Sequence, residues 1–177
     1  PNPDWWYERQ EQLCKFILGR MRELGMEPVL PGYGNILPSN AAEKMGVNAL
    51  DQGNWCSGFR RPAFLMPTDK RYAEIAQLYY KNLEKVMGKA KYYSMDPFHE
   101  GGRTKGVNLK EAYYTMYAEM QKHSPESKWV IQSWGDNPRK EALDTIPKGG
   151  FVVLDLYADG LSRWEKNGFD GHDFLWC

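Results

Sequence analysis

The stretch KYYSMDPFHEGG, residues 91–102, passes through apolar and aromatic side chains into His99 and Glu100, then into Gly101 and Gly102. A carboxyl group where a strand gives way to a glycine turn can be held at a sheet edge to give or take a proton. A solvated loop acid is the alternative reading of the same letters. Asp96, Asp155 and Asp159 stand near the ends of apolar runs and compete for a second carboxyl role. Asp155, inside its run, reads as a buried, hydrogen-bonded structural acid. Aromatic residues accompany these acids. Of seven tryptophans, Trp55 in GNWCSG, Trp134 in QSWGDN and Trp176 in DFLWC sit beside polar turn residues. An indole placed there can lay its face on the C–H face of a sugar ring, although core packing is the default for any one of them.

Metal chemistry finds no support. His99, His123 and His172 share no ligand spacing, and Cys14, Cys56 and Cys177 form neither a CxxC pair nor an even disulfide set. No metal and no other cofactor is expected.

The elements that must position these groups follow one another regularly. A helix over residues 4–24, capped by Asp4, carries Leu13, Phe16, Ile17, Met21 and Leu24 on one face and stops at Gly25. MEPVLPGY is the first strand. Residues 34–67 read as a long functional loop with one short helix near 40–45. Thr68 caps a helix that turns Tyr72, Ile75, Ala76, Tyr79, Leu83 and Val86 inward, and Gly88 closes it. KYYSMDPF, KWVIQSW, GFVVLDLYAD and HDFLWC are four further strands. Between them lie a helix over 109–122 with Ala112, Tyr113, Met116 and Met120 inward, a short one from Pro138 through Ala142, Leu143 and Ile146, and another about 161–166.

Strands that are short apolar runs, alternating with helices, predict an α/β fold with about five parallel strands. Such strands build either an open doubly wound sheet or part of a (β/α)8 TIM barrel. No GxGxxG or P-loop follows any strand, which weakens the nucleotide-binding open sheet. In a barrel the strand ends share one rim. Here they bring Tyr33, Glu100, Trp134, Tyr157 and Trp176 together. One acid among aromatics suits glycoside hydrolysis, which needs two carboxyl groups flanking the bond. Glu100 is the best acid of the chain, and His99 either tunes it or faces the barrel wall. Two alternatives stay open: a non-catalytic sugar-binding α/β module, and an open-sheet protein without a sugar site.

Composition narrows the partners. Lys+Arg and Asp+Glu are both 23, so the formal charge is zero and the basic excess that nucleic acid or an anionic membrane requires is missing. No apolar run approaches the roughly 20 residues of a membrane span. The 177 residues suffice for one domain by length. The chain opens PNPDWW, without an initiator methionine or signal peptide, and stops at Cys177 after an apolar run. We therefore expect a portion of a longer protein.

GMEPVLPGYGN, NWCSGFRRPAFLMPTD, DPFHEGG, WVIQSWG, VLDLYAD and FLWC, in this order over essentially the whole chain, resemble the catalytic barrel of the alpha-N-acetylglucosaminidases, glycoside hydrolase family 89. The resemblance implies a retaining exo-hydrolase of terminal non-reducing α-linked N-acetylglucosamine, acting on glycans. It implies Glu100 as general acid/base and Trp55 and Trp134 as pocket aromatics. Segment 154–159, with Tyr157, matches a part of the same pocket. Tyr33 and Asn35 are expected at the rim from position, beside His99. The family's nucleophilic glutamate lies on the last barrel strand, past residue 177, so no acid of this chain takes that place. The first two and last strands and the flanking domains are expected elsewhere, residues 1–177 being the central portion of the barrel. The remainder of the barrel is needed for completion, and without it the chain should be inactive. An extracytoplasmic location is implied, periplasmic or secreted in bacteria and lysosomal in animal relatives.

Overall fold

The structure, a computed structural model, describes residues 2–98 and 102–177, apart from the side chain of Cys56. His99, Glu100 and Gly101 lie outside the described residues. In chain order the elements are α1 (Asp4–Glu23), β1 (Val29–Pro31), β2 (Ile36–Leu37), α2 (Ala41–Met45), β3 (Ala49–Leu50), β4 (Ala63–Leu65), α3 (Tyr72–Met87) and β5 (Tyr92–Ser94). There follow α4 (Leu109–His123), β6 (Lys128–Gln132), α5 (Lys140–Thr145), β7 (Phe151–Asp155), α6 (Ala158–Leu161), α7 (Trp164–Asn167) and β8 (Asp173–Trp176).

The five expected strands form one all-parallel sheet in the order β1-β5-β6-β7-β8. Leu30, Tyr93, Trp129 and Phe151 stand in register across four of them, and all are buried. Against this row pack the inward residues of α3 and α4, including Ile75, Tyr80, Tyr113 and Met116. Trp129 is held in the core both by packing and by a hydrogen bond. Its ring lies 5.1 Å from Phe151 and 5.9 Å from Tyr113, and its Nε1–H donates to Met95 O at 2.7 Å. Truncation to alanine would open a cavity costing about 3–5 kcal/mol.

The α4 face matches the expected one, with Ala112, Tyr113, Met116 and Met120 all buried. Two helix starts differ from expectation. Asp4 is the first residue of α1, not its cap; Pro3 occupies the cap position. Thr68 does not cap α3, which begins at Tyr72. Asp69 organises the approach instead, its carboxylate accepting the backbone N–H groups of Asn48 (2.6 Å) and Arg71 (2.7 Å). Those bonds hold its carboxyl below the usual range. The face of α1 is also corrected. Leu18 is buried and Cys14 and Met21 half-buried, whereas Leu13, Phe16, Ile17 and Leu24 are exposed. The helix carries two adjacent apolar stripes, and α3 covers the one at 14, 18 and 21. The expected helix at 161–166 is two short ones, α6 and α7.

The loop at 34–67 holds α2, as expected, and also a small antiparallel sheet in the order β2-β4-β3. Its Phe64 ring packs 4.3 Å from Phe98, just past the end of β5. The small sheet therefore buttresses the strand end that leads to Glu100. No helix among the described residues is long and apolar enough to cross a membrane.

Candidate active site

The strand ends on one rim of the sheet carry the site. After β5 the chain is tied to β6 and the turn that follows it by four bonds. Met95 O accepts from Trp129, the Asp96 carboxylate accepts both the backbone N–H (2.8 Å) and the side-chain N–H (3.0 Å) of Gln132, and Pro97 O accepts from Asn137 Nδ2 at 3.4 Å. Phe98 follows with φ +58°, a backbone region costly for a side chain of this size. Its ring is buried between Phe64 and Tyr113. Four consecutive anchored residues thus lead to His99 and Glu100, which lie outside the described residues.

A cavity of about 190 Å3 opens at the end of β5. Phe98 and Gly102, the described residues nearest Glu100 on either side, both line it, together with Asp96, Gln52, Trp55 and Arg61. Trp55 is half exposed, and the Arg61 guanidinium lies over its ring, 5.1 Å from the centroid. A tight loop presents it: Trp55 N–H donates to Phe59 O at 2.6 Å and Arg61 N–H to Gly53 O at 2.9 Å. The cavity thus combines an aromatic face, a cation and hydrogen-bonding side chains, the lining of a small polar-ligand site.

Trp134 and Tyr157 project from the ends of β6 and β7 and pair with each other, rings 5.6 Å apart at 50°. A latch behind them fixes both loops. Asp155, fully buried, accepts the backbone N–H groups of Arg163 (3.0 Å) and Trp164 (3.1 Å). The Arg163 guanidinium in turn donates to Gly135 O at 2.9 Å and Asn137 O at 3.3 Å. Asp155 therefore holds backbone, as its place in an apolar run suggests. Asp159 is exposed and lies in a separate groove with Tyr157 and Trp176. Of the three competing acids, Asp96 alone is at the Trp55 cavity.

Tyr33 and Asn35 turn away from it. Tyr33 is buried against α3, its ring 5.3 Å from Tyr79 and 6.1 Å from Tyr72, and burial pushes its phenol pKa up. Asn35 is fully buried at φ +63°, a conformation asparagine tolerates. Its amide donates to Leu65 O and accepts from the Tyr72 hydroxyl at 2.7 Å, which joins the small sheet to α3. Gly34, between the two, lines the cavity with its backbone. Gln52, Gln132, Asn137 and Arg163 escaped the sequence reading, since no motif marks a lone amide or a lone arginine in a turn.

A parallel βα sheet whose strand ends gather an aromatic-lined cavity on one rim defines the class, a portion of a (β/α)8 barrel. Residues 1–177 match the family model of the alpha-N-acetylglucosaminidase (NAGLU) tim-barrel domain. The chain belongs to this family. It is 28% identical over 194 residues to the alpha-N-acetylglucosaminidase of Homo sapiens, covering 100% of this chain and 26% of that one. The family 89 glycoside hydrolase of Clostridium perfringens, solved in complex with PUGNAc, superimposes with a TM-score of 0.93 at 30% identity over 99% of this chain and 21% of that one. The same fit and coverage hold for that enzyme with two glutamates changed to glutamine, in complex with its substrate GlcNAc-alpha-1,4-galactose. The chain thus spans about a quarter or less of the length of these relatives.

Proposed function

We propose that the whole protein is a retaining exo-glycosidase that removes terminal non-reducing α-linked N-acetylglucosamine from glycans. One observation carries this reading: both described neighbours of Glu100, Phe98 and Gly102, line the cavity that Trp55 walls. The substrate complex of the Clostridium enzyme supports it, because that protein carries two glutamate replacements and glycoside hydrolysis runs on two carboxyl groups. Glu100 starts protonated and gives its proton to the departing glycosidic oxygen while a second carboxylate, outside residues 1–177, attacks the anomeric carbon. Glu100, now ionised, then takes a proton from the water that releases the sugar. Trp55 seats the sugar face, and the Trp134–Tyr157 ring pair at the ends of β6 and β7 offers further aromatic surface; His99 stands next to the acid in sequence.

Residues 1–177 are, in this reading, the central portion of the barrel, with the first two and last strands and the flanking domains supplied by further chain. The two edge strands β1 and β8 and the exposed stripe of Leu13, Phe16, Ile17 and Leu24 on α1 support it, since a closed barrel has no edges. We read the location as extracytoplasmic, where such glycans are exposed. Proton NMR of the first sugar released by the full-length protein tests the mechanism. The α-anomer of N-acetylglucosamine should appear first; the β-anomer would exclude retention, and sugar binding without release would favour a non-catalytic module.

A further inference from the structure

The main chain of Trp134 is bracketed by two amide residues. Its N–H donates to Gln132 O at 3.0 Å, and its carbonyl accepts the N–H of Asn137 at 3.0 Å. Gly135, inside the bracket, has φ +57°, which lets the turn reverse tightly. Both amide side chains reach across to the tail of β5. Asp96 takes two donors from Gln132 alone, the backbone N–H on Oδ1 and the side-chain Nε2–H on Oδ2, while the buried Asn137 donates to Pro97 O. Bonds to a carboxylate are shorter and stronger than those between neutral groups. Two of them to one residue fix its direction as well as its distance.

Asp96, Pro97 and Phe98 also line the Trp55 cavity. The segment that shapes the cavity is therefore the one that fixes the turn from which the Trp134 indole projects towards Tyr157. We propose that Asp96, the acid left without a role at the cavity, is a positioning residue: by gripping Gln132 it sets the place of the Trp134 ring relative to the Trp55 cavity. One carboxylate thus couples two aromatic parts of the sugar site that lie on different loops. A ring contributes to stacking only within a few ångströms of its partner, and a misplacement of about 1 Å can cost about 100-fold in rate. The inference rests on the reading that Trp134 contacts the sugar.

An exchange of donor and acceptor tests it in the full-length protein. Asp96→Asn keeps an oxygen for the backbone N–H of residue 132 but turns an N–H against the Gln132 side chain. It should lower kcat/KM on 4-nitrophenyl α-N-acetylglucosaminide about 10- to 100-fold. Adding Gln132→Glu gives that amide a carboxylate to donate to, so D96N/Q132E should regain about fivefold or more over Asp96→Asn alone. No recovery would mean that the Asp96 charge itself acts on the substrate, and would overturn the proposal. A double-mutant cycle gives the second readout. On a Trp134→Ala background, Asp96→Asn should cost at least about fivefold less than it does on wild type, because the ring it positions is gone; an equal loss on both backgrounds also overturns the proposal. If Asp96→Asn does not fold, Gln132→Met, which removes only the side-chain bond, enters the same cycle and is read in the same way. Trp134→Ala by itself separates the two readings. Should it hydrolyse the substrate normally, Trp134 is not a sugar contact and the underlying reading fails; should it be impaired while Asp96→Asn is not, only the coupling through Asp96 fails.

Discussion

Gly102 presses against Phe98 so closely that a Cβ at position 102 would lie 2.8 Å from Phe98 Cα and 3.0 Å from its carbonyl carbon. Both atoms are backbone, and the Phe98 ring is locked in the core, so neither side can give way. The chain thus holds the two flanks of Glu100 together by a contact only glycine permits. Gly102→Ala in the full-length protein should therefore lower kcat at least about tenfold and cost about 1–3 kcal/mol of stability through overpacking. Steady-state kinetics with a thermal melt checks both, and unchanged kcat would remove the contact from the site's architecture.

Trp55 offers a half-exposed indole at the cavity with Arg61 stacked behind it. Truncating it removes apolar contact area without touching a buried group. Trp55→Ala should reduce kcat/KM about tenfold or more and leave the melting temperature close to wild type. A large fall in melting temperature with normal kcat/KM would instead make it a structural residue.

Asp155 secures two backbone N–H groups at the start of α7, and Arg163 carries that order to the Trp134 turn. Asp155→Ala strands both donors in a buried setting, at about 1–3 kcal/mol for each unsatisfied group. We expect a destabilisation of at least about 2 kcal/mol by thermal or chemical unfolding, with weaker sugar binding as the Trp134 and Tyr157 loops loosen. Stability equal to wild type would show that the latch is dispensable.

His123 provides a pH dependence. Its ring stacks on Tyr80 at 5.0 Å, meets Tyr93 edge-on, and leaves Nε2 buried without a partner. Burial, reinforced by Lys89 and opposed by Glu84, pulls its pKa below the ordinary value. The fold thus prefers the neutral ring, while the unfolded chain takes up a proton below about 6.5. Stability should fall as pH drops through that value and level off below the depressed folded one. His123→Phe keeps the stacking and cannot titrate. Its unfolding midpoint should change less between pH 7.5 and pH 5.5 than that of wild type; an equal change would exclude His123 as the source.

How much of this was legible in the sequence depends on the length of the signal. The strands of the parallel sheet and the inward face of α4 are carried by runs of apolar residues at fixed spacing, and the structure has them where the letters place them. The face of α1 was misread because Leu13, Phe16 and Ile17 compete with Cys14, Leu18 and Met21, and only the packing partner α3 decides between two such stripes. The small sheet was missed because β2 and β3 are two residues long, too short for any period. Trp55 and Trp134 could be proposed for a site because indoles beside turn residues are unusual. Tyr33 and Asn35 shared that location in the chain, but their burial against α3 follows from tertiary packing alone. Gln52, Gln132 and Arg163 act through bonds to distant backbone, which sequence spacing does not encode.

The central claim is that the carboxyl group of Glu100 delivers the proton to the leaving oxygen. Hydrolysis of 4-methoxyphenyl α-N-acetylglucosaminide by full-length wild type and Glu100→Gln tests it most directly. The expected result is a fall in kcat of about 100- to 10,000-fold, the range general acid–base catalysis supplies. Turnover within about twofold of wild type would contradict it.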